Sequence, residues 1–206
     1  MTESAEEREE LVAEPQANDG VPEQAAEEEP QAEPAGEHAA GLLDILDEYG
    51  VLEGSPDGGR RGVAVVVSRF NGEITTRLLA SGLEELERAG VAREAVTVVP
   101  VPGAFELPLA VMALAKTRRY ACIVALGCVI RGETPHFDYV AGEAASGLQL
   151  AALETGVPVS FGVLTCDTAE QAEARVEKGA EAARSALEMA DLFAQLRSSV
   201  AAATGR

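Results

Sequence analysis

The chain predicts an open, doubly wound α/β fold: a three-layer α/β/α sandwich built on a four-stranded parallel sheet. Three observations carry that reading. Apolar runs of strand length, such as residues 63–67 (VAVVV) and 121–130 (ACIVALGCVI), are continuous rather than alternating, as strands covered on both faces should be. Segments with apolar residues at helical spacing separate these runs. The alternation fills residues 60–196, the usual size of one domain with one core, and right-handed crossovers would return each strand parallel to the last.

Each element has its own local cause. After the first strand, residues 73–89 carry Ile74, Leu78, Leu79, Leu83 and Leu86 at helical spacing and stop at Gly90. A second strand is expected at 96–99 and a second helix at 105–118. The third strand, 123–130, ends at Gly132, a residue that tolerates positive φ, and Thr134 is the expected N-cap of a helix over 137–154. Gly156 closes that helix. A fourth strand at 159–164, a short helix at 169–176 and a last helix at 179–196 complete the domain, with 197–206 as a C-terminal tail.

Charge divides the chain unequally. Residues 1–59 hold eighteen acidic residues against one basic residue, Arg8, and so carry −17 of the net −19. The first forty positions repeat Glu, Ala, Pro and Gln with few aromatic or β-branched residues, so they cannot bury enough apolar surface to offset ordering entropy. Residues 1–59 are therefore expected to be an acidic, mostly disordered extension. Within it, residues 42–52 form a short apolar segment (Leu42, Leu43, Ile45, Leu46, Tyr49, Val51, Leu52), either a recognition helix or a piece that docks on the domain. Residues 55–59 (SPDGG) are expected to be a flexible hinge.

Several function classes are disfavoured at this level. No secretory signal is expected at the start, and no apolar run is long enough for a membrane span. The acidity disfavours nucleic acid as a partner. Cys122, Cys128 and Cys166 show no metal-ligand or disulfide spacing, so they are expected to be small buried hydrophobes in a reducing cytoplasm, with no metal.

In a doubly wound sheet, ligands sit beyond the carboxyl ends of the strands. There the chain places residues 68–71 (SRFN), 100–106 (PVPGAFE), 131–136 (RGETPH) and 165–167 (TCD). Phe70 offers a stacking face or staples the next helix; Asn71 both donates and accepts. Gly103 and Ala104 leave backbone N–H groups approachable. Glu106 can accept from polyol hydroxyls or complement a helix dipole. His136 stands where the third strand hands over to a helix, beside free N–H groups suited to an anion. A phosphate and a proton carrier would share one loop.

SRFNGEIT, VPVPGAFELP, ALGCVIRGETPHFDYV and GVPVSFGVLT, in this order and spacing, resemble the lumazine synthase family over residues 62–192. The family's fold is similar to a flavodoxin-like sandwich. The resemblance implies condensation of 5-amino-6-(D-ribitylamino)uracil with 3,4-dihydroxy-2-butanone 4-phosphate to 6,7-dimethyl-8-ribityllumazine in riboflavin biosynthesis, with no cofactor and no metal. By motif, Phe70 would stack on the pyrimidinedione with Asn71 beside it. Ala104, Phe105 and Glu106 would hold the ribityl chain, and the backbone of Val129 and Ile130 would meet the pyrimidine edge. Gly132, Glu133 and Thr134 would cradle phosphate, and His136 would carry protons. Phe161 and Arg175 match positions that complete the site from a neighbouring subunit. Lys178 and Glu181 match the family's active-site lysine and its acidic partner.

The family forms pentamers or larger shells, so a homo-oligomer, pentamer or higher, is implied, with riboflavin synthase as a further partner. Only Val176 and Glu177 separate Arg175 from Lys178, a shorter connection than the commonest family pattern. That shortening and the acidic extension motivate an alternative: a non-catalytic scaffold or flavin- or lumazine-binding paralogue with a recruitment tail.

Overall fold

The structure is a computed structural model that describes residues 43, 45, 46 and 48–204. The expected disorder of the first forty positions, and Leu42 of the apolar segment, lie outside the described residues. The folded unit begins at Glu48.

Four strands, β1 (Val63–Ser68), β2 (Val96–Val101), β3 (Cys122–Ile130) and β4 (Val159–Cys166), form one parallel sheet in the order β2-β1-β3-β4. The intervening helices are α1 (Gly72–Arg88), α2 (Leu107–Lys116), α3 (His136–Thr155), α4 (Ala169–Glu173) and α5 (Lys178–Thr204). Successive residues of β1 feed opposite cores. Val63, Val65 and Val67 pack with α1 and α5, whereas Ala64 and Val66 pack with α2 and α3. This is the expected three-layer α/β/α sandwich, and it explains why β1 is apolar throughout.

β2 is different because it is an edge. Thr97, Val98 and Pro100 are exposed, and proline, which has no N–H to give a ladder, suits that position. The chain around Phe105 closes into a 3-10 turn (Ala104–Glu106), so α2 starts two residues later than the periodicity implies. α5 continues to Thr204, eight residues past its expected end.

One expectation fails here. Residues 55–59 are not a free hinge: Ser55 N–H donates to Asp191 Oδ2 (3.1 Å), Gly58 N–H donates to Ala89 O (2.8 Å), and Gly58 is buried. Tyr49, Val51 and Leu52 stay exposed, so the chain is fastened to the fold through the backbone of Ser55 and Gly58 and not through these apolar side chains. The polar clasp on α5 could not be read locally because its partners lie more than a hundred residues away.

α1 and α5 cross closely at Gly179, where an added Cβ would overlap the carbonyl oxygen of Leu78. Only glycine permits this approach, and it fixes the start of α5 just after the short Arg175–Lys178 connection. All three cysteines are free and buried, as expected. Burial pushes the Cys122 thiol up to about 12 and the Cys128 thiol up to about 11, so both are inert packing groups at neutral pH.

Candidate active site

A cavity of about 550 Å³ opens beyond the carboxyl ends of β1, β2 and β3. Backbone hydrogen bonds build its walls. Arg69 N–H donates to Val101 O (2.8 Å) and Phe70 N–H to Pro102 O (3.1 Å), which zips the loop after β1 to the loop after β2. Arg131 N–H donates to Cys166 O (2.9 Å), which extends the β3–β4 ladder by one bond. The loops are thereby held against a rigid sheet while their side chains remain free to meet a ligand.

Of the residues expected to act, Phe70, Ala104, Phe105, Glu106, Val129, Ile130, Gly132, Thr134 and His136 line this one cavity. Phe70 is 69% exposed and Phe105 57%, so neither ring is spent on the core and the staple reading of Phe70 fails. Glu106 folds over Gly103: a Cβ added there would lie 3.1 Å from Glu106 Oε2. Among the described residues no cation pairs with that carboxylate, which leaves it available to hydroxyl donors.

The phosphate loop departs from expectation in detail. The N-cap of α3 is Pro135, not Thr134, and no side chain caps that helix. Proline's fixed φ, here −66°, presets the turn, and Asp138 N–H donates to Pro135 O at 3.0 Å. Nor does Gly132 adopt positive φ; Gly90 and Gly156 do. Among the described residues the Thr134 hydroxyl and the N–H groups of Gly132 and Glu133 have no hydrogen-bond partner, which leaves them free to meet a ligand. His136 is the first residue of α3, exposed on the cavity wall.

Asn71 does not line the cavity. It is the N-cap of α1 in left-handed geometry (φ 55°, ψ 46°), and its Nδ2 donates to Cys128 O at 2.9 Å. Its amide is thus committed to joining β1 and β3. Glu133, Phe161, Arg175 and Lys178 also lie outside the lining. Phe161 is 47% exposed on the edge strand β4; Arg175 Nη1 donates to Gln171 O (2.8 Å); Lys178 Nζ pairs with Glu181 Oε2 at 2.7 Å.

Sequence reasoning missed Arg131. Its Nε donates to Asp167 Oδ1 (2.9 Å), its Nη1 to Asp138 Oδ1 (3.1 Å), and its guanidinium lies 4.1 Å from the Phe137 ring centroid. One side chain therefore clasps the loops after β3 and β4 to the first turn of α3. The seven-residue Arg131 to Asp138 spacing was the only local signal. Tyr139 and Val140 also line the cavity and were not expected to.

A sequence model of the 6,7-dimethyl-8-ribityllumazine synthase family matches residues 61–194. The chain belongs to that family. Its sheet order and two-sided helix cover are those of a flavodoxin-like lumazine synthase fold, and the matched span contains all of the loops that frame the cavity. Lumazine synthase membership places the chain in riboflavin biosynthesis and implies a transferase acting on small molecules as an oligomer. No helix among the described residues is long and apolar enough to cross a membrane, and among them no cluster of three or more His, Cys, Asp or Glu forms a metal site.

Proposed function

We propose that this protein condenses 5-amino-6-(D-ribitylamino)uracil with 3,4-dihydroxy-2-butanone 4-phosphate to give 6,7-dimethyl-8-ribityllumazine, phosphate and water. The observation that carries this reading is one cavity in which a stacking ring (Phe70), a free carboxylate (Glu106), an uncommitted N–H and hydroxyl loop (Gly132 to Thr134) and a proton carrier (His136) meet. A flat heterocycle with a polyol arm and a phosphorylated ketone need these four features together.

The 5-amino group attacks the ketone carbonyl, and loss of water gives an imine. Removal of a carbon-bound proton then expels phosphate. After tautomerisation the ribityl-bearing nitrogen closes on the second carbonyl and a second water departs. Each step moves a proton, and His136 at the cavity wall serves as donor and acceptor, a contribution of about a hundred- to ten-thousandfold. The remainder comes from holding both substrates in register and from stabilising the departing phosphate. Backbone groups of Val129 and Ile130 meet the pyrimidine edge, while Ala104, Phe105 and Glu106 hold the ribityl chain. Asn71 positions Phe70 through its tie to β3. The reaction needs no cofactor.

Lys178 is the active-site lysine, and Arg175 and Phe161 act from a neighbouring subunit in a pentamer or higher assembly. Their absence from the cavity of their own chain supports that arrangement, as does the exposure of Leu109 and Leu153. Arginine's bidentate fork suits phosphate there. The acidic extension before Glu48, where the folded unit begins, takes no part in catalysis, and three buried free thiols fit a cytoplasmic protein.

The test is a turnover assay that follows lumazine fluorescence and phosphate release together. Stoichiometric appearance of both, above background, establishes the activity. Background rates from a folded oligomer would leave the binding or scaffold reading in its place.

A further inference from the structure

At the end where the strands begin, opposite the cavity beside His136, arginines collect. The chain has sixteen basic residues and a net charge of −19, yet Arg60, Arg61, Arg118, Arg119 and Arg197 surround one cavity of about 600 Å³, and among the described residues no Asp or Glu lines it. The fold brings them together in a specific way. Arg60 and Arg61 precede β1, and Arg118 and Arg119 precede β3, its parallel neighbour. Ala121 N–H donates to Gly62 O at 2.8 Å, and a Cβ at Gly62 would stand 3.2 Å from Arg119 O, so the two entry loops touch. α5 supplies Ala190, Ala194 and Arg197, one helical face whose alanines leave room below the guanidinium.

Two observations set this cluster apart from a merely basic surface. Among the described residues only three non-glycine residues adopt positive φ. One is Asn71, the N-cap of α1; the others are Arg60 (φ 57°) and Arg118 (φ 58°). Arg60 is the third residue of the turn closed by Arg61 N–H donating to Gly58 O (3.1 Å), and Arg118 follows Thr117, the C-cap of α2; both positions call for left-handed backbone, and each carries arginine where glycine would be unstrained. Second, of the five arginines only Arg61 has a carboxylate partner, Asp191, and its Nε is buried without an acceptor; among the described residues Arg60, Arg118, Arg119 and Arg197 pair with none. Arg118 and Arg119 also follow the C-terminus of α2, where a cation offsets the helix dipole. That role explains neither the pair before β1 nor Arg197.

We propose that this cavity is a second anion site, distinct from the active site, that takes a small ligand bearing two or more linked phosphates. Four unpaired guanidiniums match several phosphate oxygens through bidentate forks, whereas a single phosphate would use only one or two of them.

Calorimetric titration of the full-length protein with inorganic pyrophosphate and with tripolyphosphate tests this. Both should bind saturably, tripolyphosphate more tightly, and both should weaken as salt rises. Arg118→Ala/Arg119→Ala and, separately, the exposed Arg197→Gln should each weaken binding by about tenfold or more. Lumazine formation should be unaffected, since the nine residues of β3 separate the two ends of the sheet. Absence of saturable binding overturns the proposal. So does full affinity in both variants, which would put the anion beside His136, and so does tighter binding of polyglutamate than of tripolyphosphate, which would make the site one for acidic peptides.

Discussion

The side-chain amide of Asn71 donates to the carbonyl oxygen of Cys128 at 2.9 Å, while Asn71 O accepts from the N–H groups of Ile74 and Thr75 at 3.0 Å each. One residue in left-handed geometry thus starts α1 and braces the chain after β1 against β3. Asn71→Ala should lose the amide bond and also strain the backbone, costing about 1–3 kcal/mol. Asn71→Gly should retain the backbone and lose only the bond. Thermal melts of both variants check this, and equal losses would show that the left-handed backbone contributes nothing.

His136→Ala should lower kcat by about a hundredfold or more with little change in KM, because proton transfer matters in the transition state rather than in substrate binding. Steady-state kinetics over both substrates separates these terms. A raised KM at constant kcat would make His136 a binding residue.

If Arg175 reaches the cavity of an adjoining subunit, His136→Ala and Arg175→Ala are complementary lesions. Each homo-oligomer should be impaired. Oligomers assembled from a mixture should regain activity, since some sites then receive an intact His136 from one subunit and an intact Arg175 from the next. A mixture no more active than the average of its parents would confine both residues to one chain.

Asp191 accepts from Gln195 Nε2 (2.8 Å) and Ser55 N–H (3.1 Å) and pairs with Arg61. The Gln195 amide, then the Ser55 N–H, hold its carboxyl below the usual aspartate range. A depressed folded pKa means that on acidification the unfolded chain takes the proton first. The clasp's stabilisation is therefore present above about pH 3.9 and lost as pH falls further. Hydrogen exchange at Ser55 should accelerate in Asp191→Asn at neutral pH, and the wild-type protein should approach that behaviour in acid. Unaltered protection at Ser55 would mean that the clasp does not hold the segment.

Removal of residues 1–40 should leave kcat and KM nearly unchanged, because that stretch contains none of the residues assigned to catalysis. A large loss of turnover on truncation would tie the acidic extension to the reaction itself.

The sequence by itself determined the order and type of every strand and long helix, the inert role of the three cysteines, and the rim on which Phe70, Glu106, Thr134 and His136 meet. These follow from local information: continuous apolar runs, helical spacing, the glycines at 90 and 156, and the rule that ligands gather where parallel strands end. Only the tertiary structure decided that Pro135 rather than Thr134 starts α3, that Asn71 braces β3 instead of lining the cavity, that Asp191 fastens Ser55, that Arg131 bridges two loops, and that five arginines share one cavity. Most of these are contacts through space between residues that are tens of positions or more apart. Local periodicity carries no information about which distant loop a side chain will face; the sheet order and the helix crossings supply it.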